Sequence, residues 1–141
     1  MLRTTARLVL GTFLLFAGLS HLFWARAEFR AQVPAWIPID EDVVVLLSGV
    51  AEVGLGLGLI LAVRHQRLVG ILTACFFVAI FPGNVAQYVE GVDAFGLETD
   101  RARLIRLFFQ PVLVLWALAA TGVWPRPSEG VTASGTPGRQ A

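Results

Sequence analysis

Five side chains of this sequence have types suited to proton, hydrogen-bond or ionic chemistry inside otherwise apolar stretches: His21, Glu52, Asn84, Arg106 and Gln110. Glu52 stands near the middle of VVVLLSGVAEVGLGLGLILAV, Val43 to Val63, a run of 21 residues. At ~1.5 Å rise per residue that run covers roughly 30 Å, the thickness of a hydrocarbon core. A carboxylate at that depth is costly and needs a partner or a wet cavity. Arg106 and Gln110 are four residues apart and share one helix face, as do Ser48 and Glu52. An arginine in the first turns of a helix opposes the dipole and seeks an anion. Two readings follow. In one, Glu52 pairs with Arg106, and Gln110, Asn84 and His21 complete a hydrogen-bond network that fixes the packing. In the other, the five line a polar-headed cavity, open to the outer leaflet, that takes a lipid-like or quinone-like molecule. The residue types also suit proton transfer through His21 and Glu52.

Other chemistries find less support. His21 and His65 fall on opposite sides of the expected membrane, and one His, one Glu and two amides make a poor metal set, so no metal ligand is assigned. Cys75 has no base near it in the expected topology, and no catalytic residue is assigned. The glycines of the second apolar run follow no strand, which removes a nucleotide-binding fingerprint. Net charge is +1 with no basic run, so nucleic acid is not an expected partner. No cofactor motif is present; quinone is the one cofactor the polar cluster would suit.

The elements that must position these residues are membrane helices. Hydrophobic residues make up 56% of the 141, and mean hydropathy is +0.71, against about 45–50% apolar content in an ordinary soluble domain. The excess lies in four long runs that are apolar all round rather than on one stripe. The expected fold is all-α: a four-helix transmembrane bundle over residues 1–124, with a short interfacial segment between the first two long helices. The runs are Leu8–Trp24, Val43–Val63, Leu68–Val89 and Leu104–Val123. Ala25-Arg26-Ala27 resembles a signal-peptide cleavage site. Ser20, His21, Phe23 and Trp24 ahead of it do not suit cleavage, and a retained first helix is expected. The connector 25–42 holds FRAQVPAWIP, where Pro34 and Pro38 prevent a long helix and the aromatics favour the interface. Asp40, Glu41 and Asp42 suit the N-terminus of the next helix. Arg64 to Arg67 reads as a tight basic turn. Gly54 and Gly58 form a small-xxx-small pair that admits a neighbouring backbone and offers a route to oligomers. Pro82 predicts a kink in the third span. Residues 125–141, PRPSEGVTASGTPGRQA, cannot bury a core and read as a disordered cytoplasmic tail.

Depth sorts the polar residues. From the face opposite the termini, Glu52 lies roughly 15 Å down, Asn84 and Gln110 about 10 Å, and His21 and Arg106 about 5 Å. All five share one half of the bundle, and the other half offers only Thr12, Thr73, Cys75 and Thr121 within the spans. Four spans place both termini on one side. That side collects Arg3, Arg7, Arg64, Arg67, Arg126 and Arg139, against five arginines and eight acids on the other. The arginines orient a multi-pass protein of the cell membrane with both termini cytoplasmic.

Five pieces of the chain carry a family resemblance: FAGLSHLFW, EFRAQVPAWIP, SGVAEVGLGLGLI, FPGNVAQYVEG and RLFFQPVLVLWA, in that order between Leu8 and Ala120. Together they resemble the DoxX-like membrane proteins. The resemblance implies a four-helix membrane protein in which His21, Pro34, Trp36, Pro38, Glu52, Pro82, Asn84, Arg106 and Gln110 are the recurring positions. Some relatives are associated with membrane oxidoreductase assemblies, including thiosulfate:quinone oxidoreductase and complexes involving superoxide dismutase and a sulfurtransferase; distant ones act as membrane chaperones. Two functions are therefore expected. One is a non-catalytic membrane subunit or scaffold, of an oxidoreductase assembly, with membrane lipid and oxidoreductase subunits as partners. The other is a quinone- or lipid-binding oxidoreductase component that uses the Glu/Arg/His/Asn cluster.

Overall fold

A computed structural model describes residues 1–94, 96 and 98–125. The described residues form five α-helices and no strand: α1 (Leu2–Phe23), α2 (Arg26–Arg30), α3 (Glu41–Leu61), α4 (Gln66–Glu90) and α5 (Asp100–Ala120). Four of them, all but α2, are long and apolar enough to cross a membrane. Phe13, Phe16, Leu47, Val50, Val78, Phe108 and Val112 are exposed on their outer faces. So large an apolar surface belongs in lipid, and the chain is a membrane protein.

The helices begin earlier than hydropathy alone predicts. α1 takes in Arg3 and Arg7, α4 takes in Gln66 and Arg67, and α5 starts at Asp100. Hydropathy marks the lipid slab, whereas helical hydrogen bonding continues until a cap stops it. Asp40 caps α3 by accepting from the backbone N–H groups of Asp42 and Val43, and Thr99 caps α5 by accepting from that of Ala102. Gly91 ends α4 with φ 65°, a left-handed conformation that suits glycine. The basic turn is a 3-10 turn over Val63–His65. The expected interfacial connector contains α2, followed by a strap through residues 31–39 in which Pro34 is buried. Of the expected tail 125–141, residues 126–141 lie outside the described residues.

The long helices pack as two pairs, α1 with α3 and α4 with α5; the pairs meet through lesser contacts of α1 with α5 and α3 with α4. Glycine sets the first pair. A Cβ on Gly18 would stand 2.7 Å from the Gly49 carbonyl oxygen, and one on Gly56 would stand 2.8 Å from that of Gly11. Gly11 and Gly18 thus oppose Gly56 and Gly49, and the backbones approach where no side chain intervenes. Gly54 and Gly58 take no part in this seam. Gly54 has nothing within 4 Å and Gly58 faces Val69, so the seam within the chain uses the other two glycines of α3. In the second pair, Gly70 lies against Thr121, and a Cβ there would collide with its side chain.

One end of the bundle, where α1 begins and α3 ends, is apolar inside. Leu10, Leu14, Leu59, Ala74, Phe77, Leu113 and Ala117 form its core. Two side chains close that end: buried Arg7 donates to the Leu59 carbonyl at the C-terminus of α3, and Trp116 Nε1 donates to the Ala6 carbonyl at 3.0 Å. Buried Thr73 and Thr121 bond to carbonyls of their own helices there, and the opposite half holds the other buried polar residues, Ser20, His21, Glu52, Asn84, Gln87, Arg103 and Gln110.

Candidate functional site

Each helix pair contributes one polar wall at this far end. On the α1/α3 side, Ser48 Oγ donates to the Val44 carbonyl one turn back at 2.9 Å and stands 3.5 Å from His21 Nδ1. The other ring nitrogen of His21 stands 3.6 Å from Glu52 Oε2. Ser48 and Glu52 are therefore placed on His21 by the i, i+4 spacing of α3. Phe29 of α2 covers the imidazole, with ring centroids 3.3 Å apart. Arg26 donates to the Leu22 carbonyl at the end of α1, and both Arg26 and Arg30 pair with Asp42 at the head of α3. These contacts hold α2 over the end of the pair.

The α4/α5 wall is a relay of amides. Gln110 Nε2 donates to the Phe77 carbonyl at 2.7 Å, and Gln110 Oε1 accepts from Asn84 Nδ2 at 2.9 Å. A backbone carbonyl accepts only, so this bond orients the Gln110 amide and, through it, that of Asn84. Asn84 Oδ1 is then the acceptor that amide can offer a ligand. The Phe77 carbonyl lies in the stretch of α4 where Pro82 has no N–H to give to the Val78 carbonyl. Arg106 donates to Gln87 Oε1 at 3.1 Å and to Gln32 Oε1 at 2.9 Å, and Gln87 in turn donates to the Val92 carbonyl at 3.3 Å. Gln32 belongs to the strap, so the arginine ties the strap to the second helix pair. Near it, Arg103 donates to Asp93 and Asp100 and anchors the link from α4 to α5.

Two cavities flank the polar groups, of ≈ 240 Å³ and ≈ 310 Å³. The first lies under the strap, between α3 and α4; the second lies between α1 and α5 against α4. His21, Phe29, Glu52, Ile80, Asn84 and Arg106 line both. Two atoms beside the first cavity are buried without a hydrogen-bond partner: Oε2 of Glu52 and Nε2 of Gln32.

Four of the five side chains singled out by sequence line both cavities, and Gln110 lines the second. All five are gathered at one end, as depth predicted. The pairing differs: the titratable neighbour of Glu52 is His21, not Arg106, and Arg106 reaches the amides of Gln32 and Gln87. The reason is lateral. Glu52 and His21 belong to the α1/α3 pair and Arg106 to the other, and cavity separates the walls. Sequence reasoning did not assign Gln32, Gln87 or Phe29 to the site. Gln87 carried a signal, three residues after Asn84 on the same helix. Gln32 and Phe29 carried none, because the strap and α2 have no periodicity long enough to read. Among the described residues, no group of three or more His, Cys, Asp or Glu could hold a metal ion. His65 lies at the opposite end of the bundle, and Cys75 is exposed on α4.

The sequence model of the family described as Domain of unknown function (DUF8561) matches residues 10–121. The chain belongs to this family. The matched region runs from the first third of α1 to the end of α5 and contains both polar walls, the strap and the seam glycines. Comparison with curated proteins and with solved structures gives no match.

Proposed function

We propose that this DUF8561 protein binds a small amphipathic molecule, of the lipid or quinone kind, between its two helix pairs. The observation that carries this reading is Oε2 of Glu52. It belongs to a side chain only 7% exposed, has no hydrogen-bond partner, and lines both cavities. A buried polar atom without a partner costs about 1–3 kcal/mol, more when charged, and a closed structural network would have satisfied it. A ligand hydroxyl in the cavity supplies the missing bond. The binding component is of the DoxX-like type, set in the cell membrane with both termini in the cytoplasm. Whether it serves an oxidoreductase assembly turns on the identity of the ligand.

The test is native mass spectrometry of the chain purified in mild detergent, before and after Glu52→Gln. The unmodified chain should carry a stoichiometric small molecule, and the variant should lose it with little change in melting temperature. An empty unmodified chain overturns the reading. A variant that melts much earlier while keeping its bound molecule assigns Glu52 to packing instead.

A second reading, a non-catalytic subunit or scaffold, has one observation in its favour. Gly54 faces open space on the outer side of α3 beside exposed Val50 and Leu57, a face against which another helix can pack closely. Stoichiometric partner chains in the same purification would support it.

A further inference from the structure

The two cavities differ in their walls and in their depth. Gln32 and Ser48 line only the one under the strap, which lies toward the end of the bundle where α1 stops and α3 starts. The one between α1 and α5 shares His21, Glu52, Asn84 and Arg106 with the first; the residues peculiar to it are Gln110 and the apolar Phe13, Leu14 and Ala17 of α1, Phe77 of α4, and Phe109 and Leu113 of α5. Phe13 and Phe109 are 50% and 48% exposed, so they form lips at the outer surface. Phe13 lies ten residues before the end of α1, roughly 15 Å below that end of the bundle at helical rise. In a hydrocarbon core about 30 Å thick, that is the bilayer midplane. The opening therefore faces acyl chains and not water, while Gln32, on the strap, lies higher, near the headgroup level, and Glu52 reaches into the cavity from between the two levels.

That is the disposition of a lipid in the leaflet on the strap side, with its head at the interface and its tail toward the midplane. Resting on the binding reading above, we infer that the occupant is a single-chain neutral lipid with a hydroxyl-bearing head of at least two oxygens. It enters sideways from the leaflet. Its head lies under the strap between Glu52 and Gln32, and its tail leaves between α1 and α5 past Phe13 and Phe109. The head chemistry follows from the two orphan atoms. Gln32 Oε1 accepts from Arg106, so its Nε2 is a donor and needs an oxygen. Glu52 Oε2 needs a group that satisfies it whichever way its proton is placed, and a hydroxyl both donates and accepts. A ketone or an ester carbonyl only accepts, so it satisfies Glu52 in the protonated form alone, whereas a hydroxyl satisfies both. An anionic head would place a second negative charge beside that carboxylate. A single passage of ≈ 310 Å³ limits the occupant to one chain.

The experiment offers the detergent-solubilised, delipidated full chain three probes with the same acyl chain: 1-monooleoylglycerol, methyl oleate and oleate. Retention is read by native mass spectrometry and by the shift in melting temperature. The inference expects one monooleoylglycerol per chain, held at least tenfold more tightly than either other probe. Ala17→Phe, which fills the passage from the α1 side, should cut its retention at least tenfold. Equal retention of methyl oleate overturns the head assignment, and undiminished retention in Ala17→Phe overturns the tail route. Failure of all three probes overturns the inference; if a different small molecule copurifies with the chain, the binding reading stands without it. The probe series on the unmodified chain decides the outcome should Ala17→Phe not fold.

Discussion

Nε2 of His21 on α1 stands 3.6 Å from Oε2 of Glu52 on α3, and both side chains are less than a tenth exposed. The separation exceeds that of a formed hydrogen bond, about 2.7–3.2 Å. The two groups face each other across the edge of a cavity without closing on one another, which is the arrangement of a receptive site more than of a structural clasp.

Their energetics should reflect this. Removing one partner of a tight buried ion pair costs about 3–5 kcal/mol. Here His21→Gln and Glu52→Gln are each expected to cost about 1 kcal/mol or less, with a coupling energy in the double variant also below about 1 kcal/mol. Reversible unfolding in micelles measures all three. A coupling of several kcal/mol would make the pair a packing element.

The amide relay should behave in the opposite way. Gln110→Leu takes from the Phe77 carbonyl the donor it has beyond its own helix and strips Asn84 Nδ2 of its acceptor inside the bundle. One buried group left unsatisfied should cost about 1–3 kcal/mol. Adding Asn84→Ala should cost little more, because Nδ2 has already lost its partner. Additive losses in the same unfolding assay would show that the two amides act independently.

Glycines of α3 should divide sharply. In Gly56→Ala the new Cβ meets the Leu15 backbone nitrogen at 2.7 Å and the Gly11 carbonyl oxygen at 2.8 Å, both backbone atoms. The helices must separate, at a cost of about 1–3 kcal/mol. Gly54→Ala meets nothing within 4 Å and should be neutral or stabilising by up to about 1 kcal/mol, from helix propensity. Gly54→Ile leaves the fold intact and serves as the probe of association. Loss of a chemically crosslinked dimer in that variant alone would place a second copy on this face.

Orientation is open to direct labelling. Cys75 is the one cysteine of the chain. In a Cys75→Ser background, Arg64→Cys lies at the end of the bundle where α1 begins, and Glu98→Cys lies at the opposite end. With both termini cytoplasmic, a membrane-impermeant maleimide added to intact cells should label position 98 and not position 64. The reverse pattern inverts the topology.

Much of this molecule was legible in the residues before any coordinates. The four spans come from apolar runs long enough to cross a bilayer, since lipid admits only segments that satisfy their own backbone. Asp40 to Asp42 announce the start of α3 because an N-terminus attracts carboxylates. The clustering of His21, Glu52, Asn84, Arg106 and Gln110 at one end follows from arithmetic along antiparallel rods: position in the chain translates directly into depth. What depth cannot supply is angle. Which polar group faces which depends on how each helix is rotated and which neighbour it lies against. Those choices are made by contacts between residues far apart in sequence, such as Gly18 with Gly49 and Gly56 with Gly11. The glycine seam paired α1 with α3 and so gave Glu52 a histidine where charge alone proposed an arginine. The division of the polar cluster into two walls, the cavity between them, and the arrival of Gln32 from an irregular strap were likewise decided only by the tertiary fold. A periodic pattern specifies a face, but it does not say what that face will meet.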